Sequence, residues 1–512
     1  MLEAEECPHR YRVVLLLNIL VVIGGIVMCF AIVVGKRASQ DGSVLLGHNE
    51  QNLGRNIIHY RRIPRRQAQL GELVRLYGGG AIEQVPETYS YLWTESPGLE
   101  FSDNCINEWG VAITMNGCPT REDSVQEVIA RGDIKEGGLG YLLPRLLAER
   151  AQTARQAVDI AGDLVTRCGY TGSGRTAIVA DPNEAWVIAF VRGHHFVAQR
   201  VPDDAVVLLP NTHIIGADTD LNDKDNVVAS RGLVAYATKR GWYDQSSGEP
   251  FSFKAAFSLA PAGSMEEAYG ICSRQWQTQA LVSGQRADLP PIGPLPFAVH
   301  PTHKYAVQDV AAILRSHLED TEFDLTKLQT GGSPHEPEDA IDASFARCAC
   351  NIATQESVIF QLRSWLPRSI GCVAWRANSV PCTSVYTPWY VHHEEVPKLF
   401  HDGADLQTAL SLEHHFQPNQ TIFQPNEQAA FWPFYQIAHA VNADYARLAP
   451  RVRQTWAAFE NEELKVQEAV EQIAMDFMQE DAAAARRWLT DYSIGRALQA
   501  LEKARELALA NS

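Results

Sequence analysis

The chain has 512 residues, 46% of them hydrophobic and 21% charged, the composition of a folded globular protein with a sizeable core and no long disordered tract. Its formal net charge of -17 repels phosphate backbones and no Lys/Arg cluster with interleaved aromatics occurs, so nucleic acid is excluded as a partner and a small or cationic ligand fits better. The ten cysteines and sixteen histidines show neither repeated C-x-x-C spacing nor an H-E-x-x-H, so no metal site is expected from spacing.

In chain order, the basic group His9, Arg10 and Arg12 precedes an apolar run over residues 13–35. At about 1.5 Å per residue it is long enough to cross a hydrocarbon layer of about 30 Å, so taken whole it reads as a signal or membrane segment. Two details divide it. Ile26 and Met28 stand where a signal peptidase requires small residues ahead of Cys29. The part after Cys29 is rich in Phe, Ile and Val, as in a buried strand, and turn-forming residues follow at 38–43. Residues 1–28 are therefore expected to be a leader or anchor, a propeptide or a misassigned start, since Met28 directly before Cys29 is also how the chain would read if translation began there. The compartment depends on that choice: cytoplasmic for a start at Met28 or Cys29, membrane-anchored or exported if the segment is real.

Further along, 111–115 reads as a strand and 138–166 as helical. Residues 169–176, G-Y-T-G-S-G-R-T, approximate a phosphate-binding loop with Arg175 replacing lysine, but such a loop must open a helix and a strand follows instead. Residues 177–190 read as a hairpin around a polar Asp-Pro-Asn turn, and 206–211 as a strand ending in Asn211. With a helix over 307–318, this mixture predicts a layered α+β core. Turn chemistry marks a linker over 417–428, followed by long helical stretches at 429–448, 451–477 and 481–509, with Pro450 read as a break. Their apolar faces at Leu464, Ile473 and Phe477 are expected to pack on the core or a subunit partner.

The run Cys29-Phe-Ala-Ile-Val-Val-Gly-Lys-Arg-Ala-Ser-Gln-Asp-Gly-Ser43, continuing to Gly47-His48-Asn49-Glu50, resembles the mature N-terminus of C69 dipeptidases: cysteine, apolar strand, G-K-x-A-S-x-D-G-S, second strand. The resemblance recurs at 107–113, 147–158, 200–203, 354–363 and 381–390, covering the chain from Cys29 almost to its end. It implies a four-layer αββα N-terminal-nucleophile (Ntn) hydrolase sandwich over residues 29–416 and a C-terminal helical appendage over 429–512. It also implies a cofactor-free cysteine dipeptidase whose partners are short peptides. Homo-oligomers stay open, and membrane association arises only if residues 1–28 are retained.

By that resemblance Cys29 is the nucleophile. A free α-amine has a reference pKa of about 7.7–8.0 and a thiol about 8.5, so a cysteine placed first supplies both nucleophile and base; with Met28 attached the nitrogen is a non-basic amide. The same analogy assigns oxyanion stabilisation to the side-chain amides of Asn116 and Asn211 and makes Arg274 the family's late arginine, although turn formation and a surface salt bridge explain these residues equally well one at a time. Related cysteine Ntn hydrolases, such as bile salt hydrolases and penicillin V acylases, carry R-N-x-D on the second strand. Here the positions read His48-Asn49-Glu50-Gln51, so the anionic duty falls to Glu50 or Asp41, and His48 offers only a hydrogen bond. Two competing functions remain: amide hydrolysis of a non-peptide substrate, and a secernin-like or membrane-anchored interaction protein without turnover.

Overall fold

The computed structural model describes residues 29–52, 57–99, 104–135, 137–259, 273–285, 294–321, 324–327, 333–335 and 348–511. The leader reading of residues 1–28 lies outside the described residues, as does Cys272.

Two antiparallel sheets form the body. The first contains β1 (Phe30–Val34), β2 (Val44–Gln51), β10 (Val206–Leu209), β12 (Thr354–Leu362), β13 (Cys372–Asn378) and β14 (Thr387–Tyr390), in the order β10-β1-β2-β12-β13-β14. The second contains β3 (His59–Ile63), β4 (Tyr91–Glu95), β5 (Asn104–Asn107), β6 (Ala112–Gly117), β7 (Arg175–Ala180), β8 (Ala185–Phe190), β9 (Phe196–Arg200) and β11 (Val227–Ala229), in the order β11-β9-β8-β7-β6-β5-β4-β3. The expected hairpin is β7-β8, and the apolar run after Cys29 is the fully buried β1. Between β1 and β2, Gly42 takes φ +85°, a left-handed conformation that glycine adopts without steric cost.

Side-chain alternation along the strands builds the layers. Ala31, Val33, Leu46, Val358 and Phe360 of the first sheet share one apolar cluster with Ile178, Ala180, Val187 and Val197 of the second. The opposite face of the second sheet (Met115, Ala177, Val179, Ile188) packs on α1 (Leu143–Arg150) and α2 (Ala154–Cys168). The opposite face of the first sheet (Phe30, Ile32, Leu45, Ile359, Val373) packs on α4 (Val307–Leu314) through Val310 and Leu314. At Gly47, a Cβ would come within 2.6 Å of Val310 and 2.9 Å of Ile32, so glycine is what lets α4 lie this close to β2. The result is the four-layer αββα arrangement.

The C-terminal region comprises α5 (Phe431–Ala443), α6 (Tyr445–Glu480) and α7 (Ala482–Asn511). Pro450 does not break it. The break falls at Asp444 (φ -147°, ψ 65°), and Pro450 sits near the start of α6. A proline inside a helix costs about 3 kcal/mol, and the burial of neighbouring Leu448, Val452 and Trp456 in the inter-sheet cluster offsets it. Val470 and Ala474 of α6 and Leu489 of α7 join the cluster on the outer face of the first sheet. Leu464 packs partly against that cluster, whereas Ile473 and Phe477 are exposed. No helix among the described residues is long and apolar enough to cross a membrane.

Candidate active site

The inward positions of β1 and β2 are apolar along most of the sandwich and turn polar at one end, where β6 adds Thr114 and Asn116. On β2 the inward series runs Val44, Leu46, His48, Glu50; on β1 the series Val33, Ala31 ends at Cys29, which immediately precedes the strand. Antiparallel pairing of Phe30 with Asn49 and Ala31 with His48 then brings Cys29 to the Glu50 end of β2. The Cys29 thiol donates to Glu50 Oε1 at 3.3 Å, and both residues are fully buried.

His48 and Asn116 meet across the two sheets, with His48 Nε2 3.0 Å from Asn116 Oδ1. That oxygen can only accept, so the Nε2–H tautomer of His48 is the donor. Burial lowers the His48 pKa to about 4, against hydrogen bonds to Asn116 and Met115 that raise it, so the ring is neutral near pH 7. His48 therefore does not replace the positive charge of the related families' arginine. Asn116 Nδ2 donates to the Leu209 carbonyl at 2.8 Å. Asn211 is held in a similar way: its Nδ2 donates to the Gly117 carbonyl at 2.9 Å and its Oδ1 accepts from Arg274 at 2.5 Å. Each amide carries two N–H bonds and uses one of them in these contacts.

Arg274, in the first turn of α3 (Ser273–Ser283), is 2% exposed, which removes the surface-salt-bridge explanation. Its guanidinium donates to the Cys29 carbonyl at 3.1 Å and lies 3.5 Å from Gln51 Oε1 as well as gripping Asn211. A planar fork of fixed N–H bonds suits three acceptors on three chain segments. Asp41 is elsewhere: it accepts from the Ser43 amide at 3.0 Å and from Gln361 at 2.9 Å, a turn acid between β1 and β2. Of the two carboxylates weighed from sequence, Glu50 is the one beside the thiol.

Two further residues belong to this cluster. Asn52 donates to Glu50 Oε1 at 2.7 Å and to Gln355 at 3.1 Å, fixing the carboxylate. Arg175, the residue that mimicked a phosphate-loop lysine, is buried at the start of β7 opposite Gly117, and its charge favours the Cys29 thiolate. The available signal was a lone cation opening an otherwise apolar hairpin. Burial, followed by the Glu50 charge, nevertheless holds the Cys29 thiol pKa well above its ordinary value. In this setting the thiol is protonated and needs a local base. One ligand atom each of Cys29, His48 and Glu50 lies within 4.8 Å of the others, so this trio also has the means to hold a cation.

The model that describes peptidase family C69 matches residues 28–458. The chain belongs to peptidase family C69. Family membership makes this C69 chain a peptide-bond hydrolase. It is 27% identical over 392 residues to a probable dipeptidase of Latilactobacillus sakei, covering 74% of this chain and 77% of that one. It is 28% identical over 372 residues to a probable dipeptidase of Salmonella dublin, covering 72% and 82%. Probable dipeptidase B of Streptococcus pyogenes serotype M1 matches at 23% over 482 residues, covering 92% and 89%, so that similarity extends into the C-terminal helices. Among solved structures, penicillin V acylase from Agrobacterium tumefaciens superposes with a TM-score of 0.32 and 10% identity over 71% of this chain and 86% of that one, too loosely to carry an argument.

Proposed function

We propose that this C69 chain is a cysteine dipeptidase in which Cys29, once it is the first residue, attacks the amide bond of a short peptide. The observation that supports the reading is convergence: Glu50, His48, Asn116, Asn211 and Arg274, from three strands or strand ends and a helix, gather around Cys29, with Glu50 and Arg274 bonded to it, Asn211 held by Arg274, and His48 paired with Asn116. The dipeptide substrate follows from the relatives' names.

The freed α-amine takes the thiol proton, and the thiolate adds to the substrate carbonyl carbon. The oxyanion so formed is met by the second N–H of Asn116 and of Asn211, amides already fixed by their other contacts and so requiring little reorganisation. Collapse breaks the C–N bond, the new ammonium of Cys29 returns the proton to the leaving amine, and a thioester remains. Water, deprotonated by the same amine, adds to the thioester; a second oxyanion collapses and releases the acid and the thiol. Arg274 positions Cys29 through its carbonyl and Asn211 through Oδ1. Glu50 supplies the negative charge that holds the ammonium beside the thiol, the duty of the missing aspartate.

The test is a chain produced from Met28, shown by intact mass to begin at Cys29, compared with the chain from Met1 and with Cys29→Ala. The expected result is dipeptide turnover only when Cys29 is first, with N-acyl amides hydrolysed poorly. Turnover by Cys29→Ala, or equal turnover with the leader attached, overturns the mechanism; preference for N-acyl amides moves the substrate to the acylase class.

A further inference from the structure

Four buried side chains that the proposed hydrolysis does not use converge away from Cys29. His317 lies just beyond α4, His335 ends the described stretch 333–335, Cys350 precedes β12, and Cys382 sits in the short turn of 3-10 helix Pro381–Thr383 before β14. One ligand atom from each lies within 4.8 Å of every other. His335 Nε2 is 2.9 Å from His317 Nε2, 3.3 Å from Cys382 Sγ and 3.8 Å from Cys350 Sγ. With Zn–N bonds of about 2.0–2.1 Å and Zn–S bonds of about 2.3 Å, a tetrahedral ion sets ligand separations of about 3.4 Å for N–N, about 3.6 Å for N–S and about 3.8 Å for S–S. The tetrad is already near those edges.

Hydrogen bonding alone does not account for it. A neutral imidazole nitrogen carries one proton or one lone pair, so His335 Nε2 cannot serve an imidazole and two thiols together. A central cation takes a lone pair from all four. His317 is oriented for this: its Nδ1 lies 3.0 Å from Glu319 Oε1, and a donor N–H there leaves the Nε2 lone pair facing the tetrad, the carboxylate-histidine pairing that orients metal-bound imidazoles. Arg453 Nη2 lies 3.5 Å from the same carboxylate and 3.2 Å from His317 Nδ1, so the Nδ1–H tautomer rests on the shorter contact, to the charged Glu319 acceptor. Two thiolates, two neutral imidazoles and one divalent cation sum to zero charge, which removes the cost of burying the thiolates singly.

We propose that His317, His335, Cys350 and Cys382 form a tetrahedral zinc site with a structural role. Its S2N2 donor set suits zinc, and four protein ligands leave no open position for a reacting water. The ion fastens the segment after α4, the stretch 333–335, the turn before β14 and the loop ahead of β12. That loop backs the catalytic strand: the Ala349 carbonyl accepts from Asn49 at 2.9 Å and from Gln51 at 2.7 Å, the β2 residues that flank Glu50. Binding deprotonates both thiols and releases their protons.

The experiment is metal analysis of the full-length chain purified without chelator, by elemental mass spectrometry and native mass. About one zinc per chain is expected, retained in Cys29→Ala and lost in His335→Ala and in Cys382→Ala. Because those two variants can fail to fold, the wild-type chain supplies a second readout: exchange for cobalt(II) should give thiolate-to-cobalt charge-transfer absorption and the visible bands of a tetrahedral ion. Wild-type protein that takes up no stoichiometric metal after zinc exposure overturns the proposal, as does zinc retained in both tetrad variants. Loss of zinc in Cys29→Ala, which places the ion at the Cys29 trio, also overturns it, as does a Cys350–Cys382 disulfide found by peptide mass mapping.

Discussion

Replacing Asn116 by alanine separates its oxyanion role from its structural one. The side chain is fully buried, accepts from His48 at 3.0 Å and donates to Leu209 at 2.8 Å. Truncation strands one ring N–H and one carbonyl, each costing about 1–3 kcal/mol, so the fold should lose about 2–6 kcal/mol. Against a typical stability of about 5–15 kcal/mol the variant should still fold, with a lower melting temperature. Its chemical effect should be of similar size but is read in the rate of the folded enzyme: loss of one preorganised oxyanion donor costs about a hundred- to thousandfold in kcat, about 2.7–4 kcal/mol. Since that bond forms only to the charged intermediate, kcat and kcat/KM should fall together with KM little changed. Asn116→Asp keeps the shape and the acceptor for His48 but sets an oxygen against the Leu209 carbonyl, and should be at least as inactive. Dipeptide hydrolysis by chains confirmed to begin at Cys29 reads the rate, and circular dichroism reads the folded fraction. A folded Asn116→Ala variant with kcat within about threefold of wild type would refute the oxyanion assignment, because a positioned donor is worth far more than that.

Three further outcomes are expected. In Cys29→Ala the circular dichroism spectrum should match wild type while turnover is lost, because the small side chain deletes only the thiol in a packed site; residual burst-phase acylation would point to another nucleophile. Glu50→Gln should move the acid limb of the kcat/KM profile to lower pH. The carboxylate favours the adjacent ammonium and, with burial, raises the Cys29 thiol pKa, so removing its charge lets both protons leave at lower pH; a limb that stays in place or rises would show that Glu50 does not face these groups. Finally, Arg363 donates to both carboxylate oxygens of Glu471 at 2.7 and 2.6 Å, a buried pair joining the end of β12 to α6. Arg363→Met should cost about 3–5 kcal/mol in urea unfolding, since it leaves the buried Glu471 carboxylate with only the neutral donors Tyr390 and Gln467 and no countercharge. A double variant Arg363→Met/Glu471→Met that recovers much of the loss would support that cause, and a neutral single variant would count against it.

Much of the site was legible because its signals are local. β1, the turn at 38–43 and β2 are contiguous, so strand period alone places His48 and Glu50 on one face beside the start of β1. The β7-β8 hairpin was equally visible, and the strand after residue 174 correctly argued against a phosphate loop. Choosing between Glu50 and Asp41 was not possible from sequence, because one lies on β2 and the other in the turn leading into it, and only the tertiary contacts give one to the thiol and the other to Ser43 and Gln361. Arg274 illustrates the same limit: its burial, its reach to Cys29 and its grip on Asn211 come from a helix 245 positions along the chain from the cysteine.

What the sequence by itself determined was the alternation of apolar and polar positions, the cysteine that opens a buried strand, and the helical composition beyond residue 429. These rest on nearest-neighbour geometry, which period and turn chemistry encode directly. The tertiary structure alone decided that Pro450 is carried inside a helix, because packing of Leu448, Val452 and Trp456 outweighs the lost backbone bond. It alone brought His335 within reach of His317, 18 positions before it, and of Cys350 and Cys382, 15 and 47 positions beyond. Such groupings have no short motif because their spacing is set by where loops cross at the end of a sandwich, and loop length carries little of that information.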